Sequence, residues 1–311
     1  MTRAATGTPA WRDARGAAVG EAMALDGLAA ARVVLLGETH DRREDHLWQA
    51  VVIAGLAARA GGDLVVGLEM LPRRAQPALD AWSAGGLDAA AFEAASGWAS
   101  VWGFPLALYL PVLELCRDLH LPLLALNVDR PLVSLIGRDG WEALPAAERG
   151  WLTPAAPATP DYRRYLFGMT GGARPDRAAQ DPLDPAFDRF VRAQGVWDRA
   201  FACAIAGALA GGSGQREAGQ RGAGQVAALI GRGHLEYGFG TPAQLAALGI
   251  APVRTALPDH PGHPPLPGPD PLADFTCTLR PGPGPDDTGR RPRERLDACR
   301  RAANAAGAGR E

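Results

Sequence analysis

The four cysteines of this 311-residue chain, Cys116, Cys203, Cys277 and Cys299, include no CxxC pair. A zinc knuckle or a dithiol redox motif is therefore unsupported. Cys116 and Cys203 fall in apolar helical patterns, where a thiol packs as a small hydrophobe. No run of about 18 apolar residues occurs, so no transmembrane helix is expected. The first twenty residues carry Trp11 among small and polar neighbours but no continuous apolar stretch, and do not read as a secretory signal. The expected location is cytoplasmic, with export left open if the true N-terminus differs. With a formal charge of −2 and no basic stripe interleaved with aromatics, nothing calls for nucleic acid or an anionic membrane surface as a partner, and no nucleic acid is expected.

What is present is ample core material: 47% of residues are hydrophobic and 21% charged, as in ordinary globular proteins. Residues 33–36 form a short continuous apolar run ending in Gly37, the pattern of a strand covered on both faces. A helix of 3.6-residue period follows, started by a capping-box-like Asp41 to Glu44 and stopped by Gly61-Gly62. The cycle recurs with strands at 64–68, 121–126 and 226–230, a helix at 106–119, and a short helix after Thr241-Pro242 that closes at Gly249. Strands alternating with helices predict an α/β fold, mainly a parallel sheet flanked by helices. Residues 275–279 suit a late edge strand.

Between residues 130 and 212 the strand signal disappears, and this stretch reads as a helical cap insertion. Residues 141–151 and 187–209 read as its helices, the second with Phe190, Trp197, Phe201 and Ile205 on one face. The organisation expected is a flexible segment at 1–25, an α/β domain at 26–257 with the cap at about 130–212, and a Pro/Gly-rich, largely irregular region at 258–311. Residues 211–224 read as a Gly-rich link, and the Arg290–Arg293 cluster as a solvated tail.

Polar residues gather where apolar strands end: Glu38 and His40, then Glu69, then Asn127, Asp129 and Arg130, then His234. In open parallel sheets, ligands bind beyond the carboxyl ends of the strands. Gly37-Glu38-Thr39-His40 and Gly231-Arg232-Gly233-His234 share the form GxxH after a buried strand. Imidazole and carboxylate suit a divalent metal, which gives His40, Glu69 and His234 as metal candidates. Glu38, His40, Glu69 and His234 also suit acid–base chemistry in a hydrolase. His46 sits in the first turns of a helix, where a positive imidazole is disfavoured, so a neutral ring facing the crevice and plain packing both stay open. Trp98, Trp102 and Tyr109 read most simply as packing. Gln194 and Asp198, four apart, share a helix face, which a common target or solvent would explain equally.

Val33 to Asp41 with His46, Gly67-Leu-Glu-Met70, Trp102-Gly103, Tyr109 with Pro111, Leu126 to Arg130, Ala193-Gln194 with Trp197-Asp198, Gly231 to His234 and Gly238-Phe-Gly240 occur in one order. In that order they resemble the ChaN-like haem-binding family of the Tiki/erythromycin-esterase superfamily. The resemblance implies an α/β core with a helical cap, and haem as cofactor in iron or haem uptake, with paired haems between the two subunits of a homodimer. Many members are exported lipoproteins, whereas no signal or lipobox cysteine is visible here. The superfamily also implies hydrolysis at related Glu and His positions, with or without a metal. The cap varies among members, so the axial ligand does not carry over by motif. Tyr162 and Tyr165 are candidates because a phenolate ligates ferric haem, with Arg163 and Arg164 for the propionates.

Overall fold

A computed structural model describes residues 10–60, 62–211, 223–260, 265–269 and 271–279. The chain runs β1 (Ala10–Asp13), β2 (Ala18–Val19), α1 (Glu21–Ala29), β3 (Val33–Glu38), α2 (Arg43–Ala60) and β4 (Leu64–Pro72). It continues through α3 (Gln76–Ser83), α4 (Ala89–Ser96), α5 (Trp98–Val101), α6 (Leu110–Asp118), β5 (Leu123–Asn127) and α7 (Arg130–Asp139). Then come α8 (Pro160–Met169), α9 (Asp188–Leu209), β6 (Gln225–Gly231), α10 (Thr241–Ala247), β7 (Val253–Asp259) and β8 (Phe275–Thr278).

All eight strands join one sheet in the order β2-β1-β8-β7-β3-β6-β4-β5. From β5 to β8 the pairing is parallel, and β1 closes against β8 antiparallel. The central strands are buried from end to end, as the continuous apolar runs require. Their alternation divides the core between the two faces. Val34, Leu36, Val66 and Leu229 pack with α1, α2 and α6. Val33, Leu35, Ile230 and Leu257 pack with Phe201, Ile205 and Leu209 of α9.

β6 lies between β3 and β4, so a strand from the second half of the chain is seated between two from the first. Glu38 is in register with Gly231, and Leu68 with Leu229, which brings three strand ends level. β4 does not stop at Glu69. It runs on to Pro72, and its pairing with β5 is irregular between Leu68 and Pro72. Such bulges re-aim side chains beside functional sites.

Several expectations are corrected. Residues 10–25, expected within a flexible segment, instead supply β1, β2 and the start of α1, because Trp11 is buried against Trp48 and Phe275. β8 is not an edge strand, since β1 covers it. Residues 141–151 form two single 3-10 turns rather than a helix. Gly140 at φ +86° breaks the chain before them and Pro145 divides them. The helix expected from Asp41 begins at Arg43, and the carboxylate that reaches back is that of Asp45, which accepts the Thr39 N–H at 2.8 Å. Most of the Gly-rich link, at 212–222, and the tail from 280 to 311 lie outside the described residues. Among the described residues, no helix is long and apolar enough to cross a membrane.

Candidate functional site

The aligned ends of β3, β6 and β4 open into a crevice of about 360 Å3, lined among others by His40, Glu69, Asn127, Arg130 and His234. Trp102, Phe104 and Trp197 add aromatic wall, and Arg74 lines one side. Arg74 donates to Asp129 at 2.6 Å, both partly exposed to solvent.

Each crevice histidine is backed by a buried carboxylate. His40 Nδ1 lies 2.9 Å from Glu38 Oε1, which also accepts the Tyr109 hydroxyl at 2.8 Å. The His40 ring stands edge-on to Trp102 with centroids 4.8 Å apart. His234 Nδ1 lies 2.7 Å from Asp198 Oδ1, and its Nε2 is 3.8 Å from Glu69 Oε1. With Nδ1 committed in both rings, Nε2 is the nitrogen left for chemistry. Glu69 is fixed by the Gly231 N–H at 2.5 Å. Gly231 has a packing reason too: a Cβ there would sit 2.6 Å from His40 Cε1.

Electrostatics follow from this pairing. Burial alone would push Glu38 up, but the His40 hydrogen bond and the close charges of His46 and His40 outweigh it and hold its carboxyl down at about 2. Burial disfavours charged His234, yet the Asp198 and Glu69 carboxylates prevail and push it up to about 9. His40 is raised as well, against burial, by its Glu38 hydrogen bond and the Glu69 and Glu38 charges, with His234 opposing.

His46 is wholly buried behind the crevice rather than lining it. Its Nδ1 lies 3.2 Å from Gln49 Oε1 and 3.3 Å from Glu38 Oε2, the latter a charge contact rather than an aligned hydrogen bond. Of the two readings left open, a neutral ring facing the crevice and plain packing, the ring is packed: burial opposes its charge, but Glu38 raises His46 above its ordinary value despite the helix start. Asn127 donates to the Glu69 carbonyl at 2.7 Å and holds the turn through the Val128 N–H. Asp198 orients His234, whereas Gln194 is buried one turn earlier and does not line the crevice.

The haem residues proposed for the cap are placed differently. Tyr162 donates to Asp198 Oδ2 at 2.7 Å and Tyr165 to Glu236 Oε2 at 2.8 Å, both buried. Burial and the neighbouring carboxylates push both phenols up, away from the phenolate form that ligates iron. Arg163 pairs with Asp188 and Arg164 with Asp161, and none of the four lines the crevice. The metal set is corrected too. Among the described residues no group of three or more His, Cys, Asp or Glu is spaced to hold a metal ion. Glu69 turns one oxygen to a backbone N–H, and the two rings turn Nδ1 to other carboxylates.

Residues the sequence did not single out include Arg74 and Phe104 in the walls, and His260, buried and 2.7 Å from Asp45 behind the His40 loop. No motif marks His260. Tyr109 read as packing, and its hydroxyl does more by fixing Glu38; its place among the ordered motifs was the available signal.

These features define an α/β ligand-binding protein whose site sits at the carboxyl edge of a parallel sheet. The chain belongs to the family described as haem-binding uptake, Tiki superfamily, ChaN, which it matches over residues 24–245. Its fold is similar to a solved structure of ChaN of Campylobacter jejuni, described as binding haem cofacially. That likeness has a TM-score of 0.65 at 18% identity and covers 89% of this chain and 98% of the other. A curated relative, the chloroplastic Protein RETICULATA-RELATED 5 of Arabidopsis thaliana, is 25% identical over 233 residues. This match takes in 70% of the chain but only 29% of that relative's length.

Proposed function

We propose that this protein binds haem in the crevice at the strand ends and serves in haem or iron handling. The observation that carries the reading is the pair of carboxylate-backed imidazoles facing an aromatic-walled crevice, in a chain of the ChaN family. Haem would supply an iron open to an axial ligand. His40, partly exposed and with Nδ1 fixed on Glu38, would ligate it through Nε2, which must first give up its proton. His234, kept protonated at neutral pH by Asp198, suits a propionate instead, with Arg74 and Arg130 as further cations at the rim.

Trp102, Phe104 and Trp197 would flank the macrocycle. A crevice of about 360 Å3 is at the small end of cofactor pockets. A porphyrin seated in it would keep an uncovered outer face, which a second subunit of a homodimer would shield. The family favours this reading over hydrolysis of an ester or amide by the same residues.

Haemin titration tests it. A Soret band with saturation at micromolar or tighter affinity is expected, and should be lost in His40→Ala. A spectral change no larger than with an unrelated protein would overturn it.

A further inference from the structure

A second hollow, of about 510 Å3, lies among α8, α9, the 152–159 loop and the start of α10. It shares no lining residue with the crevice. Trp141, Leu152, Val196 and Phe239 give it a mainly apolar wall. α9 turns Arg192, Gly195, Val196 and Arg199 toward it, the spacing of one helix face.

Arg199 is only 8% exposed. Its Nε donates to Thr153 Oγ1 at 2.8 Å and its Nη1 to Gln244 Oε1 at 3.4 Å, both neutral acceptors. Gln244 is itself held by the Ala156 backbone, accepting its N–H at 2.9 Å and donating to its carbonyl at 3.0 Å. Among the described residues Arg199 has no ion pair. The adjacent Asp198 gives its oxygens to His234, Tyr162 and Thr241. Asp161, which also lines the hollow, pairs with Arg164.

A buried guanidinium without a counter-ion is costly, and its planar donor fork matches a carboxylate. The apolar wall suits a hydrocarbon or aromatic body on the same molecule. Arg192, on the same wall, is exposed and donates to the Gly137 carbonyl at 3.0 Å, so Arg199 is the buried cation of the hollow and suits a single negative charge.

We propose that this hollow binds a small amphipathic monocarboxylate, its carboxylate on Arg199 and its apolar body along Trp141, Val196 and Phe239. The site is separate from the haem crevice and does not depend on it. Asp198 stands in the wall between them, bonded to Tyr162 on one side and to His234 on the other.

The test is calorimetric titration and thermal melting with decanoate and with uncharged decanol, alongside haemin titration. Wild type is compared with Arg199→Gln and Gly195→Leu. A Cβ at Gly195 meets only Ala155 Cβ, at 3.5 Å, so a side chain there enters the hollow without backbone strain. Decanoate should bind one to one and raise Tm, with decanol at least about ten-fold weaker. Arg199→Gln should weaken decanoate about ten-fold or more and leave decanol unchanged. Gly195→Leu should abolish both, while the Soret titration stays as in wild type. Absence of decanoate binding, equal affinity for decanol, no loss in a folded Arg199→Gln, or displacement of decanoate by haemin would each overturn the site. If Arg199→Gln does not fold, Gly195→Leu decides alone: decanoate binding that survives filling of the hollow overturns it.

Discussion

His234 Nδ1 lies 2.7 Å from Asp198 Oδ1, although the two residues come from the turn after β6 and from the middle of α9. This contact sets the protonation of the crevice. Replacing Asp198 by Asn should bring the His234 pKa down from about 9 toward an ordinary imidazole value of about 6.5. NMR titration of the ring carbons measures this directly. A value still near 9 in the variant would mean that Glu69, not Asp198, holds the charge.

His40→Ala and His234→Ala should both lose haem binding but differ in stability. The His40 side chain is 31% exposed, and Glu38 keeps its Tyr109 hydrogen bond without it, so the cost should stay within about 1 kcal/mol. His234→Ala leaves Asp198 buried without its cation and should cost about 3 kcal/mol or more. Urea melts and Soret titrations of both variants give the answer, and two variants with wild-type haem affinity would sink the crevice as the haem site.

Leu35→Ala provides the contrast of a pure core lesion. Leu35 is fully buried in β3 against the α9 face, so cavity formation should cost roughly 2–5 kcal/mol. Haem affinity of the remaining folded protein should match wild type, measured well below its Tm.

Stability should fall on both sides of neutrality. His234 is raised in the folded state, so its contribution is complete below the unfolded value of about 6.5 and is lost as pH rises through about 9. The linked energy is on the order of 3 kcal/mol. Glu38 is depressed, so its contribution is present above its ordinary 4.5 and is lost as pH falls toward about 2. Denaturant unfolding at pH 6 and pH 10 should show the alkaline loss in wild type and a flatter response in His234→Gln. Equal losses in the two proteins would contradict the assignment.

Hydrophobic period and strand-end chemistry were legible in the chain itself. The apolar runs at 33–36, 64–68 and 226–230 became β3, β4 and β6, because a fully apolar run has to be covered on both faces. The two GxxH loops placed His40 and His234, and the ordered motifs marked the family. Local sequence also misled where its signal was weak: composition alone made residues 10–25 appear unstructured, although Trp11 is buried against two distant aromatic rings.

What only the tertiary structure decided was which groups meet. The insertion of β6 between β3 and β4 is a long-range choice that periodicity does not encode, and it levels Glu38, Glu69 and His234 at one rim. Partners 36 and 71 residues apart, Tyr162 with Asp198 and Tyr165 with Glu236, turned two candidate iron ligands into buried donors. The reason is physical: hydrophobic spacing reports which face of an element is covered, whereas a buried polar group is satisfied by whatever the completed fold brings within hydrogen-bond reach.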